Sequence, residues 1–219
     1  MKLSEFLTEL NNRIAAAKVS GFWTDAMKKQ WINKAGERVC NYHRWKALEY
    51  AVTTKTKANQ EYYDYPDEFQ EDSIYHLEVD GKEYTRCNNW DDYQNYKANE
   101  STDKVFVSHD GFYFINPTPE EADLVIDLWG IRKWKKLVND NDEAITPTEL
   151  DEAIIKLALA ICLQKERRYS EANAEIAEVE APANPRVPGS GGILARLVTR
   201  EENEGPKGYI GKAKSTRFM

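Results

Sequence analysis

VFVSHDGFYFI, residues 105–115, is the stretch on which the fold turns. Val105, Phe106 and Val107 run up to His109-Asp110-Gly111, and Phe112 to Ile115 run away from it. Asp-Gly supplies the two left-handed residues of a tight hairpin turn, so the segment predicts paired antiparallel strands. The same pattern stands upstream. Ser73, Tyr75, Leu77 and Val79 alternate with other positions, Asp80-Gly81 makes the turn, and Glu83-Tyr84-Thr85 returns. Further out, Val52 to Lys57 is extended and threonine-rich, Tyr62 to Tyr65 ends at Pro66, and Ala122 to Trp129 is one more apolar strand. Residues 88–96 read as a loop with a single helical turn. Five or six strands joined by short turns predict an antiparallel sheet or small barrel over residues 51–144.

Helices flank this region. Leu3, Phe6, Leu7, Leu10 and Ile14 form one apolar stripe at three- and four-residue spacing. A second helix starts at Thr24, whose side chain suits an N-cap, with Asp25 at the positive end of the dipole. It should carry Met27, Trp31, Ala35, Val39, Tyr42 and Trp45 on one face. Thr146-Pro147-Thr148-Glu149 reads as a threonine cap, a first-turn proline and a capping-box glutamate. Leu150, Ile154, Leu157, Ala158 and Ile161 make the stripe that follows. After Arg167-Arg168 a further helix carries Ala172, Ile176 and Val179, giving a helical hairpin. Residues 181–192 hold three prolines and three glycines, which no helix survives, and Ile193 to Val198 resume a short helix.

The expected fold class is therefore α+β. The N- and C-terminal segments, 1–50 and 145–203, form a helical bundle broken by the proline-glycine loop at 181–192. The antiparallel β-rich lobe, 51–144, is inserted between them. Each flank shows a single apolar stripe and needs the other to bury it.

Residues 204–219 are expected to form an extended basic arm. From Gly205 onward it holds Lys207, Lys212, Lys214 and Arg217 with no acid, in a chain of net charge −7. Tyr209, Ile210, Phe218 and Met219 are apolar anchors that a merely solubilising tail would not need. Glycine and proline forbid a helix here. Fifteen extended residues reach at most about 50 Å, enough to grasp a neighbouring acidic surface.

Composition narrows the rest. The 219 residues include six tryptophans and twelve tyrosines, types that favour interfaces as well as cores. Cys40, Cys87 and Cys162 are odd in number and far apart, against a disulfide framework or a zinc site. No run suits a signal peptide or a bilayer span, so a soluble intracellular product without membrane contact is expected. Net acidity argues against wrapping DNA, although an acidic channel wall would let DNA pass without sticking.

Chemistry finds little purchase. His43, His76 and His109 have no ligand spacing, and the Asp-Gly after His109 is explained by turn geometry. Phosphate loops, zinc-protease motifs and nucleophile elbows are missing from the chain. Gly189-Ser190-Gly191-Gly192 lacks the lysine and the preceding strand that a phosphate loop requires. The expectation is a non-enzymatic protein with no catalytic residue, metal or cofactor.

One resemblance then bears on the whole chain. A tryptophan-rich helix ends Tyr42-His43-Arg44-Trp45 before Leu48-Glu49, and a strand-forming segment spans Thr56 to Pro66. Pro147-Thr148, then Leu150-Asp151 and Ala153, opens the closing helix, and Arg168-Tyr169-Ser170-Glu171-Ala172 opens its partner. In order and texture, residues 1–203 resemble the head-to-tail adaptor (connector, or head completion) proteins of tailed bacteriophages. That likeness implies a virion structural protein assembled in the host cytoplasm, in a ring of about twelve copies beneath the portal. It also implies contact with the portal and with tail, nozzle or stopper proteins, and a channel that DNA crosses without sequence-specific binding. Lys207, Tyr209, Ile210, Lys212, Lys214, Arg217 and Phe218 would meet the portal or a neighbouring subunit. Two other readings stay open on the residues alone: a host-side adaptor or ligand-binding module, and a cell-wall hydrolase using two carboxylates.

Overall fold

The computed structural model of the protein describes residues 1–19, 21–99, 101–184, 187 and 189–203. The described chain is α+β, and it divides into two compact units. One comprises Met1–His43 and the chain from Trp134 onward; the other is Arg44–Lys133.

The first unit is helical: α1 (Leu3–Ala16), α2 (Asp25–Cys40), α4 (Thr148–Lys165), α5 (Tyr169–Glu180) and α6 (Ile193–Asn203). Helix α4 is its axle and packs against α1, α2, α5 and α6. Its sequence suggested one stripe, yet Leu150, Ala153, Ile154, Ile155, Leu157, Ala158, Leu159, Ala160, Cys162 and Leu163 are all buried. A helix apolar nearly all round belongs at the centre of a bundle. The Thr24 side chain caps α2 by accepting the Met27 N–H, as its position implied. At α4 the expected cap fails. Pro147 is the capping residue, makes no side-chain bond, and the Thr146 hydroxyl has no well-formed partner.

Helix α2 also ends earlier than its stripe suggested. Asn41 closes it, Tyr42 is 40 % exposed, and Trp45 lies beyond the helix in the second unit. The buried face instead includes a polar residue, Asn33. Its side chain donates to Lys29 O and Leu137 O and accepts from Trp134 Nε1 and Leu137 N, at 2.7–2.9 Å. This amide fastens the segment after Lys133 onto α2. Gly36 completes the seat, because a Cβ there would fall 2.4 Å from the Trp134 ring. The same segment caps α1: Leu3 N–H donates to Asp142 O and Ser4 N–H to Asp140 O.

The second unit is one seven-stranded sheet with a helix. Its strands are β1 (Glu49–Lys55), β2 (Tyr62–Asp64), β3 (His76–Val79), β4 (Lys82–Arg86), β5 (Val105–His109), β6 (Phe112–Asn116) and β7 (Val125–Ile131), with α3 (Trp90–Ala98) between β4 and β5. The spatial order is β1-β7-β3-β4-β5-β6-β2. Both Asp-Gly turns form as read, with φ of 49° and 68° at Asp80 and Gly81 and of 50° and 79° at Asp110 and Gly111. The all-antiparallel expectation needs one correction, since β4 and β5 pair in parallel. Residues 88–96 account for it. They are no loop but the start of the nine-residue α3, which supplies the crossover that a parallel pair requires. The sheet's core gathers Ile74, Leu77, Phe106, Tyr113, Ile115, Ile126 and Leu128.

Candidate assembly surfaces

Strand β6 reads Phe112-Tyr113-Phe114-Ile115, apolar on both faces. Side chains alternate along a strand, so Tyr113 and Ile115 enter the core while Phe112 and Phe114 share the opposite face. On that face α3 delivers a third ring. Asn89 caps the helix by accepting the Asp92 N–H at 2.8 Å, and Trp90 follows at once. The Trp90 ring meets Phe114 edge-on at 4.7 Å and stacks on His109 at 4.4 Å. Beyond Phe114 comes Tyr62 on β2, 5.6 Å from the Phe112 ring and 5.9 Å from that of Phe114.

The result is a continuous aromatic face, His109–Trp90–Phe114–Phe112–Tyr62, running to the last strand of the sheet. Tyr62 is 51 % exposed, and Trp90, Phe112 and Phe114 are half-buried. Beneath them Tyr93 is fully buried, donates to Glu61 Oε1 at 2.9 Å, and shares that carboxylate with Lys97. Burial, then the hydrogen bond to Glu61, pushes the Tyr93 hydroxyl far above its ordinary pKa. It therefore stays a neutral donor that pins α3 to the approach to β2. Rings held rigid from below and left half-open above suit a protein interface.

The histidines are not brought together. His43 lies 3.7 Å from Glu201, His76 sits between Glu78 and Glu83, and His109 stacks on Trp90. Asp110, beside His109, occupies the left-handed turn position that its sequence context implied. Cys40, Cys87 and Cys162 are buried free thiols, and burial pushes that of Cys162 up to about 11. Among the described residues no cluster of histidine, cysteine and carboxylate could hold a metal ion.

The proline-glycine connection between α5 and α6 is closed on itself where it is described. Gly192 N–H donates to Ala181 O at 2.8 Å, and the Ser190 hydroxyl joins Asn184 N and O. Gly191 has φ of 94°, and a Cβ there would fall 2.9 Å from Ala183. Lys207, Tyr209, Ile210, Lys212, Lys214, Arg217 and Phe218, expected to bind partners, lie outside the described residues.

The geometry thus offers an interaction surface, and the comparison with known families bears on what that surface serves. The family model for the SU10 adaptor protein matches residues 1–186. The chain belongs to the SU10 adaptor family. The match covers both units as far as the connection after α5, and α6 and the arm lie past its end. No curated protein matches the chain. The resemblance to phage head-to-tail adaptors is therefore correct at the level of the family. The adaptor is a structural phage protein of the virion that interacts with other head and tail proteins. Among its described residues no helix is long and apolar enough to cross a membrane.

Proposed function

We propose that this adaptor forms a ring of about twelve copies beneath the portal, continues the DNA channel, and presents an attachment platform for tail, nozzle or stopper proteins. It does so as a purely structural component, assembled in the host cytoplasm at the head–tail junction. The helical unit acts as scaffold, the aromatic face of the sheet unit as a protein contact, and the arm as a tether. The observation that carries the reading is the aromatic face, because rings supported from below and open at one sheet edge are what an inter-subunit contact needs.

Charge supports the arm's role. Four of the 30 lysines and arginines stand in residues 205–219, where there is no acid. The other 204 residues thus hold 26 cations against 37 acids, a net charge of −11. An acidic body lets DNA pass without adhering, while a cationic arm seeks acidic protein surfaces. Lys207, Lys212, Lys214 and Arg217 meet carboxylates of the portal or a neighbouring subunit, and Tyr209, Ile210 and Phe218 fill apolar grooves there.

Replacing the four arm cations by glutamine tests this. The variant should fold, yet co-sediment with the portal at least about tenfold more weakly, and the wild type should weaken as salt rises. Equal affinity of the two proteins would contradict the tether.

A further inference from the structure

Helix α1 and the first turns of α4 flank an open groove of about 570 Å³ lined by Met1, Glu5, Glu9, Thr148, Asp151, Glu152 and Ile155 among others. Four of these are acids. Two cations face them: the Met1 ammonium, 3.3 Å from Asp151, and Arg13, which bridges Glu9 at 2.9 Å and Glu152 at 3.0 Å. Glu5 accepts the Lys2 N–H and has no cationic partner among the described residues. The groove keeps an excess of negative charge.

Asp151 shows how that excess is borne. It is 3 % exposed, and its Oδ1 makes no well-formed hydrogen bond, although the neighbouring Thr146 hydroxyl helps to steady the charge. Burial first, and the Glu5 carboxylate last, push its pKa above the usual carboxylate range. A buried acid with one unsatisfied oxygen, beside another acid that has no cationic partner among the described residues, favours a cation brought from outside.

The last described helix, α6, contacts α4 near this groove. Arg200 on α6 reaches Glu149 at 3.4 Å, and Glu149 directly follows Thr148 on the groove wall. Asn203, the last described residue, stands about one helical turn beyond Arg200. The sequence after Asn203 holds four cations and apolar anchors, and its extended length is enough to reach the acid-lined trough whose wall includes Ile155.

We infer that in the free subunit the basic arm, residues 205–219, docks into the acid-lined groove between α1 and α4 of its own chain. This docking holds the arm until a partner surface competes for it, so the groove sets when the tether is released. The inference rests on reading the arm as a docking element. It concerns the subunit before assembly, so it can fail while portal tethering stands, and the reverse.

The test is zero-length carbodiimide cross-linking of the full-length chain at low protein concentration, using an equal mixture of ¹⁴N- and ¹⁵N-labelled protein with no portal present. Linked peptides should join Lys207, Lys212 or Lys214 to Glu5, Glu9 or Glu152, each pair entirely light or entirely heavy. Their yield should fall at least about threefold between 0.1 M and 1 M salt, as the screening length drops from about 10 to about 3 Å. Three results would overturn the inference: arm links that avoid the groove, groove links that are predominantly light–heavy, or a salt-independent yield. Loss of portal binding in the arm variant would still stand in each case.

Discussion

Asn33→Ala is expected to lower the stability of the helical unit by about 3–5 kcal/mol. The side-chain amide is nearly buried and makes four hydrogen bonds, all at 2.7–2.9 Å. Lys29 O keeps its helical partner when the amide goes. Leu137 N–H, Leu137 C=O and the Trp134 indole N–H lose theirs, and Trp134 and Leu137 are 6 % and 2 % exposed. Each orphaned buried group costs about 1–3 kcal/mol, so three of them near the low end give the stated range. With a urea dependence of about 3 kcal/mol per molar, the midpoint should fall by about 1–1.7 M. Urea unfolding followed by tryptophan fluorescence reads this directly. Asn11→Ala, at an exposed site on α1, serves as the control and should stay within about 0.5 kcal/mol of wild type. An Asn33→Ala midpoint within about 0.3 M of wild type would refute the reasoning, and with it the claim that one amide ties the chain after Lys133 to α2.

Four further outcomes are expected. Trp31→Ala should cost about 3–5 kcal/mol in the same assay, because the ring is 5 % exposed and takes the edge of Trp23 at 5.3 Å; an unchanged midpoint would place it at a partner surface. Gly36→Ala should cost about 1–3 kcal/mol, since its methyl group must displace the Trp134 ring. Trp90→Ala should leave the subunit folded by circular dichroism and weaken its self-association or portal binding; unimpaired assembly would remove the aromatic face from the interface. Burial raises the folded pKa of Asp151 above the ordinary aspartate value of 3.8, so the folded state holds its proton more tightly and stability is lost as pH rises from that value through the folded pKa. Relative to wild type, Asp151→Asn should therefore gain stability as pH rises from below 3.8 towards neutral, and a flat difference in chemical denaturation would contradict this.

What the sequence disclosed, and what it hid, follows from the range of the interactions. The two Asp-Gly turns and the Thr24 cap are local devices, and each formed where it was read. Helix α3 escaped because only Tyr93 of its nine residues is buried, so its periodicity was too weak to stand out. Missing α3 and expecting a wholly antiparallel sheet were one error, because a parallel β4–β5 pair needs that crossover. Thr146 misled because capping propensity is decided by backbone geometry, and here the chain turns helical one residue later. The aromatic face left a legible trace, since a strand apolar on both sides must cover one of them somehow. Asn33 left a fainter one, a polar residue on the apolar face of α2, and its partners 101–104 residues away could come only from the fold.

The most direct test of the account is electron cryo-microscopy of the full-length adaptor mixed with the portal of its own phage. A closed ring of about twelve copies below the portal is predicted, with the Trp90 face at a protein–protein contact and residues 205–219 lying on the portal or an adjacent copy. Portal particles that remain bare, or bound adaptor whose Trp90 faces and arms touch no other protein, would contradict it.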